Sequence, residues 1–342
     1  MKLAARLQYN LIFALVVWCG WLFIGEGRHA LHYIEDNWRI SVMMIFGSMV
    51  AGGTSEGGGA VAFPFFTKVF HIDPHTAKLF ALCIQSVGMT TASLLIIVTR
   101  VKVDWFVIRW ATLSGALGMW FGALYIAPLM PSDVTKMTFT MMEASFALVL
   151  VLLNKRDTNR HDDVPHQGWR ERQYLLLMGF IGGLFGSVVG VGIDIVVFSM
   201  MVLLFRVSEK VATPTSVILM AVNAIAGVGV YQGVLGEMDE RVFSYWMAAV
   251  PVVVIGAPIG AIACTYMSRS LIVKILIALI SVELVSSLLI ISMNERVILT
   301  SLATLTICLS MFYQMYRSRR YDPRNRTQTD EPDLEVAQLS PG

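Results

Sequence analysis

The chain has 342 residues, 56% of them hydrophobic and only 15% charged, with a formal net charge of +2 and a mean hydropathy of +0.66. Charge this sparse cannot cover the surface of a soluble protein of that size, which excludes a soluble enzyme or nucleic-acid binder and points to an integral membrane protein. Cys19, Cys83, Cys264 and Cys308 sit inside apolar runs with no metal-like or CxxC spacing and read as small buried hydrophobes.

The first apolar run, 9–24, follows Lys2 and Arg6, but Gly25-Glu26-Gly27-Arg28 offers no small-x-small cleavage site, so it reads as a retained first span. The next run is broken by glycine: from Gly47 to Phe66 it reads GSMVAGGTSEGGGAVAFPFF. One straight helix from Arg39 to His71 would measure about 46 Å at about 1.5 Å per residue, well beyond a hydrocarbon core of about 30 Å. Two half-helices of about 18 Å suit a re-entrant hairpin instead, with its non-helical tip at 52–59 near the midplane, where protein or a polar cavity must cover the backbone.

Runs at 78–99, 105–129 and 136–153 are long enough to span, and a polar linker at 154–172 follows. A second glycine-broken run, Gly182 to Met201, reads GGLFGSVVGVGIDIVVFSMM. Further spans are expected at 211–231, 242–267, 271–293 and 297–316, before a polar tail that reads as disordered and cytoplasmic.

Shifting the first broken run by 135 positions puts Gly47 on Gly182, Glu56-Gly57-Gly58-Gly59 on Val191-Gly192-Ile193-Asp194, and Pro64 on Ser199. Weaker matches place Gln85-Ser86 on Thr215-Ser216, Gly118-x-x-x-Gly122 on Gly256-x-x-x-Gly260, and Glu143 on Glu283, with the offset drifting between 130 and 140. Treating both broken runs as hairpins gathers Lys2, Arg6, Arg100, Lys102, Lys155, Arg156, Arg160, Arg170, Arg172, Arg206, Lys210, Arg269, Lys274 and the tail arginines on one, cytoplasmic side. The two units then lie in opposite orientations.

The expected fold is an all-α integral membrane protein: an inverted repeat of a re-entrant hairpin plus three transmembrane helices, with about eight spans plus two hairpins. Its parts are a first helix and outer loop (1–38), repeat 1 (39–153), the linker (154–172), repeat 2 (173–293), a last helix (294–316) and the tail (317–342). Both termini fall in the cytoplasm, in a plasma or inner membrane.

A duplicated, broken intramembrane segment is the mark of a transporter's central site. Helix breaks expose backbone N–H groups that hold an anion without a lysine, and glycine lets the backbone approach it closely. The substrate-binding candidates are Thr54, Ser55, Gly57, Gly58, Gly59, Gly190 and Gly192 at the tips, with Gln85, Ser86, Thr215 and Ser216 as neutral donors from neighbouring spans. The bland alternative is that these glycines serve helix packing. Glu56, Asp194, Glu143 and Glu283 are expected within the membrane, where carboxylates are protonated, paired or line a wet path. They are candidates for proton or sodium coupling, and Glu143 and Glu283 are equally candidates for interhelical hydrogen bonds or ion pairs. Arg109 reads as snorkelling, Lys68 and Lys78 flank the outer mouth and read as interfacial anchors, with attraction of anions as the alternative, and His71 and His75 lack a convincing third ligand for a metal. Gly115, Gly118 and Gly122 on one face allow either internal packing or a homodimer. The expected partners are a small anion, a coupling proton or sodium and the lipid bilayer, with no nucleic acid, cofactor or metal.

The glycine-rich break followed by a short apolar run and proline, repeated in the second half, resembles the TauE/SafE family of sulfite exporters over about 47–293. Gly57-Gly58-Gly59 and Pro64 carry the likeness in the first unit and Gly190-Val191-Gly192 in the second, with Gln85-Ser86 and Thr215-Ser216 at the Ser/Thr positions. Glu56 stands where the family has an apolar residue, and Ile193-Asp194 replaces the last two glycines. The resemblance implies a secondary carrier for sulfite, organosulfonates or related organic anions. The rival readings are an anion channel and an intramembrane aspartyl protease. For the protease, Asp194 falls one residue late for a GxGD segment and the partner Tyr-Asp pair occurs only at Tyr321-Asp322.

Overall fold

The structure, a computed structural model, describes residues 3–54, 59–154, 160–165, 167–264, 266–267, 269–318 and 321, and every regular element among them is helical. α1 (Leu3–Ile24) covers the first apolar run, and α2 (Arg28–Asp36) follows where a loop was expected. α3 (Trp38–Gly53) and α4 (Gly59–Pro64) flank the first break, and α4 runs on through a π-helical turn, Phe65–Val69. The first half is completed by α5 (Pro74–Val98), α6 (Trp105–Phe121), which short turns extend to Leu129, and α7 (Ser132–Asn154). The second half comprises α8 (Trp169–Val189), α9 (Ile193–Ser199) with a π-helical turn at Met200–Leu204, α10 (Glu209–Gly233), α11 (Glu240–Cys264) and α12 (Arg269–Ile290). α13 (Glu295–Arg317) closes the bundle.

Polar residues mark where these helices begin. Asp73 caps α5 by accepting from the Thr76 N–H at 2.9 Å, with Pro74 in the first turn, and Asn294 caps α13 through the Val297 N–H. Asp104 does more: one carboxylate oxygen accepts from the Phe106 and Val107 N–H groups, and the other accepts from Val164 of the linker at 2.8 Å. Ser208 caps α10.

Among the described residues, α5, α6 with its extension, α8, α10, α11 and α13 are long and apolar enough to cross a bilayer, and the bent α1–α2 pair would make a seventh span. α8 corrects the expectation that the second broken run is a symmetric hairpin of half-helices. Its helix starts at Trp169 and takes in Arg170, Glu171 and Arg172, which composition had assigned to the linker. Glu171 tolerates burial there because the Gly168 N–H and the Tyr321 hydroxyl both donate to its carboxylate.

Several elements recur at a spacing of 135 residues. α5 begins at Pro74 and α10 at Glu209, 135 residues later, and both have 25 residues; α6 and α11 begin at Trp105 and Glu240, again 135 apart. The π-helical turns at Phe65–Val69 and Met200–Leu204 keep the same spacing. So do the bonds that end them, Phe70 N–H to Phe65 O with Phe205 N–H to Met200 O, and Ile72 N–H to Phe66 O with Val207 N–H to Met201 O. His71 and Arg206 then take the left-handed conformation, with φ of 53° and 55°. Further along the chain the offset drifts as expected: α7 and α12 begin at Ser132 and Arg269, and Gly118 meets Phe180 and Gly122 meets Leu184 as Gly256 meets Ile45 and Gly260 meets Met49, which pairs Gly118 with Gly256 and Gly122 with Gly260. Gln85-Ser86, by contrast, is out of register with Thr215-Ser216, because they stand at different distances from the starts of α5 and α10.

The first broken segment enters beside the start of α11, where Asn37 donates to the Ser244 hydroxyl, and leaves there too, with the Phe66 ring 5.6 Å from that of Tyr245. The second enters and leaves at the other end of the bundle. There the linker pairs with its exit, His161 N–H to Arg206 O at 2.9 Å and Ser208 N–H to His161 O at 2.8 Å, and Arg206 donates to the Tyr316 and Ser318 carbonyls below α13. We call this the linker end and the opposite one the far end.

Close packing sets the depth of both segments. A Cβ on Gly52 would fall 1.8 Å from the Ala257 carbonyl oxygen on α11, and one on Gly122 would fall 2.1 Å from the Ser187 hydroxyl on α8, so glycine is required at both contacts. Gly115 and Gly118 likewise close on Ile193 and on the Phe180 carbonyl, which gives that face of α6 to internal packing. Neither break sits level with the middle of its neighbours: Gly52 meets the last third of α11, and Ser187 meets Tyr231 in the last turn of α10. The reason is length, since α3 and α8 have 16 and 21 residues, about 24 and 31 Å at about 1.5 Å per residue. Aromatic contacts lock the returning limbs, with Phe66 stacked 4.3 Å from Phe80, Phe63 5.0 Å from Phe139 and Phe198 edge-on to Phe146.

Candidate functional site

At the first break, α3 ends at Gly53, Thr54 turns into an extended conformation and is buried, and α4 begins at Gly59. The candidates Ser55, Glu56, Gly57 and Gly58 lie outside the described residues.

The second break is fully built. Gly190 ends α8 in the left-handed region with φ of 88°, its N–H bonded to the Gly186 carbonyl at 2.8 Å. A Cβ there would meet the Lys78 carbonyl at 3.1 Å and the Ala81 side chain at 3.2 Å, so this break is pressed against the first turns of α5. Gln85 holds it from the same helix, donating through Nε2 to the Gly190 carbonyl and the Ala81 carbonyl, both at 3.0 Å. Gly192, with φ of 152°, packs against Phe185 and the backbone of Gly182 and Gly186, which folds α9 back onto α8. Its N–H, nominated as an anion donor, is taken by Asp194 Oδ1 at 2.8 Å. The other Asp194 oxygen meets no hydrogen-bond partner among the described residues, and the side chain is wholly buried.

The remaining candidates are dispersed. Ser86 donates to the Cys83 carbonyl of its own helix. Thr215 lies at the linker end, accepting from the Asp104 N–H at 3.0 Å and donating to Val211 O, and Ser216 donates to Thr213 O. The structure thus joins Gln85 to Gly190 but places Thr215 with the start of α6 and bonds Ser216 within its own helix. Glu143 is buried on α7. Glu283 on α12 forms an ion pair with Lys68 at 2.6 Å and accepts from Thr140 and Ser287 at 3.1 Å.

Sequence reasoning misplaced both lysines. Lys68 and Lys78 are not interfacial anchors: they are 9% and 3% exposed and hydrogen-bonded inside the bundle. Lys78 donates to the Tyr231 hydroxyl at 2.9 Å, and that hydroxyl donates to the Ser187 carbonyl at 2.7 Å, on the last turn of α8. Nearer the far end, His75 and Glu237 form a half-buried pair at 3.2 Å. The one legible signal was position: Lys78 lies a full turn inside α5, between Ala77 and Leu79, too deep to mark a helix end. Among the described residues no three metal-ligating side chains come together.

Apolar helices of spanning length, clustered around two glycine-broken segments, define an integral, multi-pass membrane protein. The profile of the family described as Sulfite exporter TauE/SafE matches residues 40–288, and the chain belongs to that family of membrane transporters. The match takes in both broken segments and every element from α3 to most of α12. Comparison with curated proteins and with solved structures gives no match.

Proposed function

We propose that the protein is a secondary transporter of small anions, of the sulfite and organosulfonate class, working by alternating access of two inverted repeats. The observation that carries this reading is the placement of the broken segments: each enters and leaves at one end of the bundle, and the two ends are opposite. The helix pairings fit the same two-fold relation. α3 lies along α11 as α8 lies along α6, α5 meets α11 as α10 meets α6, and α5 with α10 and α7 with α12 pair across the axis. Two copies of one unit in opposite orientations can exchange conformations, which turns a site open to one side into the same site open to the other. The family description supplies the anion, and the concentration of Lys and Arg at the linker end favours a cytoplasmic location for that end and for both termini.

Coupling to protons is the finer part of the proposal, with Asp194 and Glu56 as the carriers. Asp194 keeps one buried oxygen without a partner among the described residues, and a proton can occupy it. Glu143 and Glu283 stay in the reading as further intramembrane carboxyls, Glu283 already occupied by Lys68.

The test is uptake of radiolabelled sulfite, sulfate, taurine and sulfoacetate into proteoliposomes, with and without an imposed pH gradient. Saturable uptake of one anion, driven by the gradient in wild type and unresponsive to it in Asp194→Asn, is the expected result. Non-saturating flux would favour a channel, and no flux of any of the four through folded protein would remove the anion reading.

A further inference from the structure

We propose that Lys78 is the positive charge that binds the transported anion, held beside the second break by Tyr231. The inference rests on the reading of the protein as an anion carrier and adds the group that selects for negative charge.

Among the described residues two lysines are buried in the bundle, and their surroundings differ. Lys68 Nζ is saturated: it lies 2.6 Å from Glu283 Oε2 and donates to the Glu283 carbonyl, Ser286 Oγ and Ser287 Oγ at 3.0, 2.9 and 2.8 Å. Lys78 Nζ is the more deeply buried, yet its sole hydrogen-bond acceptor among the described residues is the Tyr231 hydroxyl at 2.9 Å. An ammonium has three N–H donors and no acceptor capacity, so Lys78 holds donors in reserve. It forms no ion pair with a carboxylate of the described residues; Glu237, the acid on that side, lies 3.2 Å from His75 and acts on Lys78 only from beyond contact distance.

Lys78 also lies 4.3 Å from the centre of the Tyr231 ring, and the Ser187 carbonyl in the last turn of α8 is joined to it through the tyrosine hydroxyl. Both soften the cost of burying a cation, but neither supplies a negative charge, whereas an anion does. The charge is tied to the second break as well. Gly190 is pressed on the Lys78 backbone, Gln85 grips the Gly190 carbonyl, and Tyr231 links Lys78 Nζ to Ser187. A small oxoanion fits this chemistry: the ammonium donates to one oxygen, and the Tyr231 hydroxyl can turn from the Ser187 carbonyl to another. The lysine thus supplies the charge that helix ends alone had been expected to provide.

Equilibrium binding of radiolabelled sulfite to the purified full chain in lipid nanodiscs tests the assignment. Lys78→Met is expected to weaken binding by about 30-fold or more, and Lys78→Arg to keep it within about tenfold. Tyr231→Phe removes only a neutral hydroxyl from the ammonium and should also stay within about tenfold. Wild-type affinity in folded Lys78→Met would overturn the role of Lys78 while leaving the anion carrier intact; no sulfite, sulfate or sulfoacetate binding by wild type would overturn both. If Lys78→Met does not fold, Lys78→Gln decides, since it keeps a polar, hydrogen-bonding side chain beside Tyr231 and removes only the charge: a loss of about 30-fold or more in folded protein supports the proposal, and wild-type affinity overturns it.

Discussion

The Lys68–Glu283 pair allows an asymmetric prediction. Both side chains are under a tenth exposed and their charged atoms are 2.6 Å apart, joining the exit of the first broken segment to α12. Lys68→Met would leave the Glu283 carboxylate buried with only the Thr140 and Ser287 hydroxyls as donors, and stranding a buried charge in this way costs about 3–5 kcal/mol. Glu283→Gln would leave the ammonium with three neutral acceptors, the residue 283 carbonyl and the Ser286 and Ser287 hydroxyls, so the loss should be smaller, about 1.5–3 kcal/mol. The double variant strands no charge and should be no less stable than Lys68→Met alone, a coupling of about 2 kcal/mol or more. The assay is SDS-driven unfolding in mixed micelles followed by circular dichroism for all four proteins. Strictly additive losses, with each single below about 1 kcal/mol, would mean that the pair is solvated or unformed and would refute the reasoning.

Gly52→Val should separate α3 from α11, because even its Cβ would sit 1.8 Å from the Ala257 carbonyl oxygen; a loss of about 3 kcal/mol or more is expected in the same unfolding assay, and a neutral result would overturn the contact. Gln85→Leu leaves the buried Gly190 carbonyl without its donor from α5 and should cost about 1–3 kcal/mol, with faster amide hydrogen exchange at 187–192. Asp104→Ala removes the cap of α6 and its bond to Val164 together, so it should destabilise by about 1–2 kcal/mol and expose the linker to protease. At Asp73, desolvation raises the carboxyl, but the Thr76 hydrogen bonds and the nearby His75 outweigh it and hold the group below the usual carboxylate range. A depressed folded value means stabilisation present above the unfolded value of about 3.9 and lost as pH falls through the folded one, so Asp73→Asn should flatten the acid limb of the stability profile and change little at neutral pH.

Five of the expected spans, now α5, α6, α10, α11 and α13, and the two breaks were legible because bilayer length and glycine clusters are local properties, written in runs of one residue type. The spacing of the repeat was visible in the broken runs and in Gly118 and Gly122 against Gly256 and Gly260, but it was misjudged at the span after each break, since Gln85-Ser86 and Thr215-Ser216 look alike without sharing a register. What repeats there is the length and capping of α5 and α10, and different residues satisfy both: Asp73 caps the one and Ser208 the other. The extent of α8 was misread because its first turn is charged. Composition cannot see that Tyr321 will neutralise the burial of Glu171 from the far side of the sequence. The site was legible only in part for the same reason. Gln85 was found from its neighbourhood in the sequence, whereas Lys78 and Tyr231 are 153 residues apart and take on meaning only when α5 and α10 meet.

The knot at the linker end also constrains how the protein is made. Glu171 takes its hydrogen bond from a residue synthesised 150 positions later, and at about 5–20 residues per second that partner emerges roughly 8 to 30 seconds after α8 has begun to insert. For that interval the Glu171 carboxylate has only the Gly168 N–H of the two donors that cover it in the finished fold, so its full burial waits for the chain beyond α13.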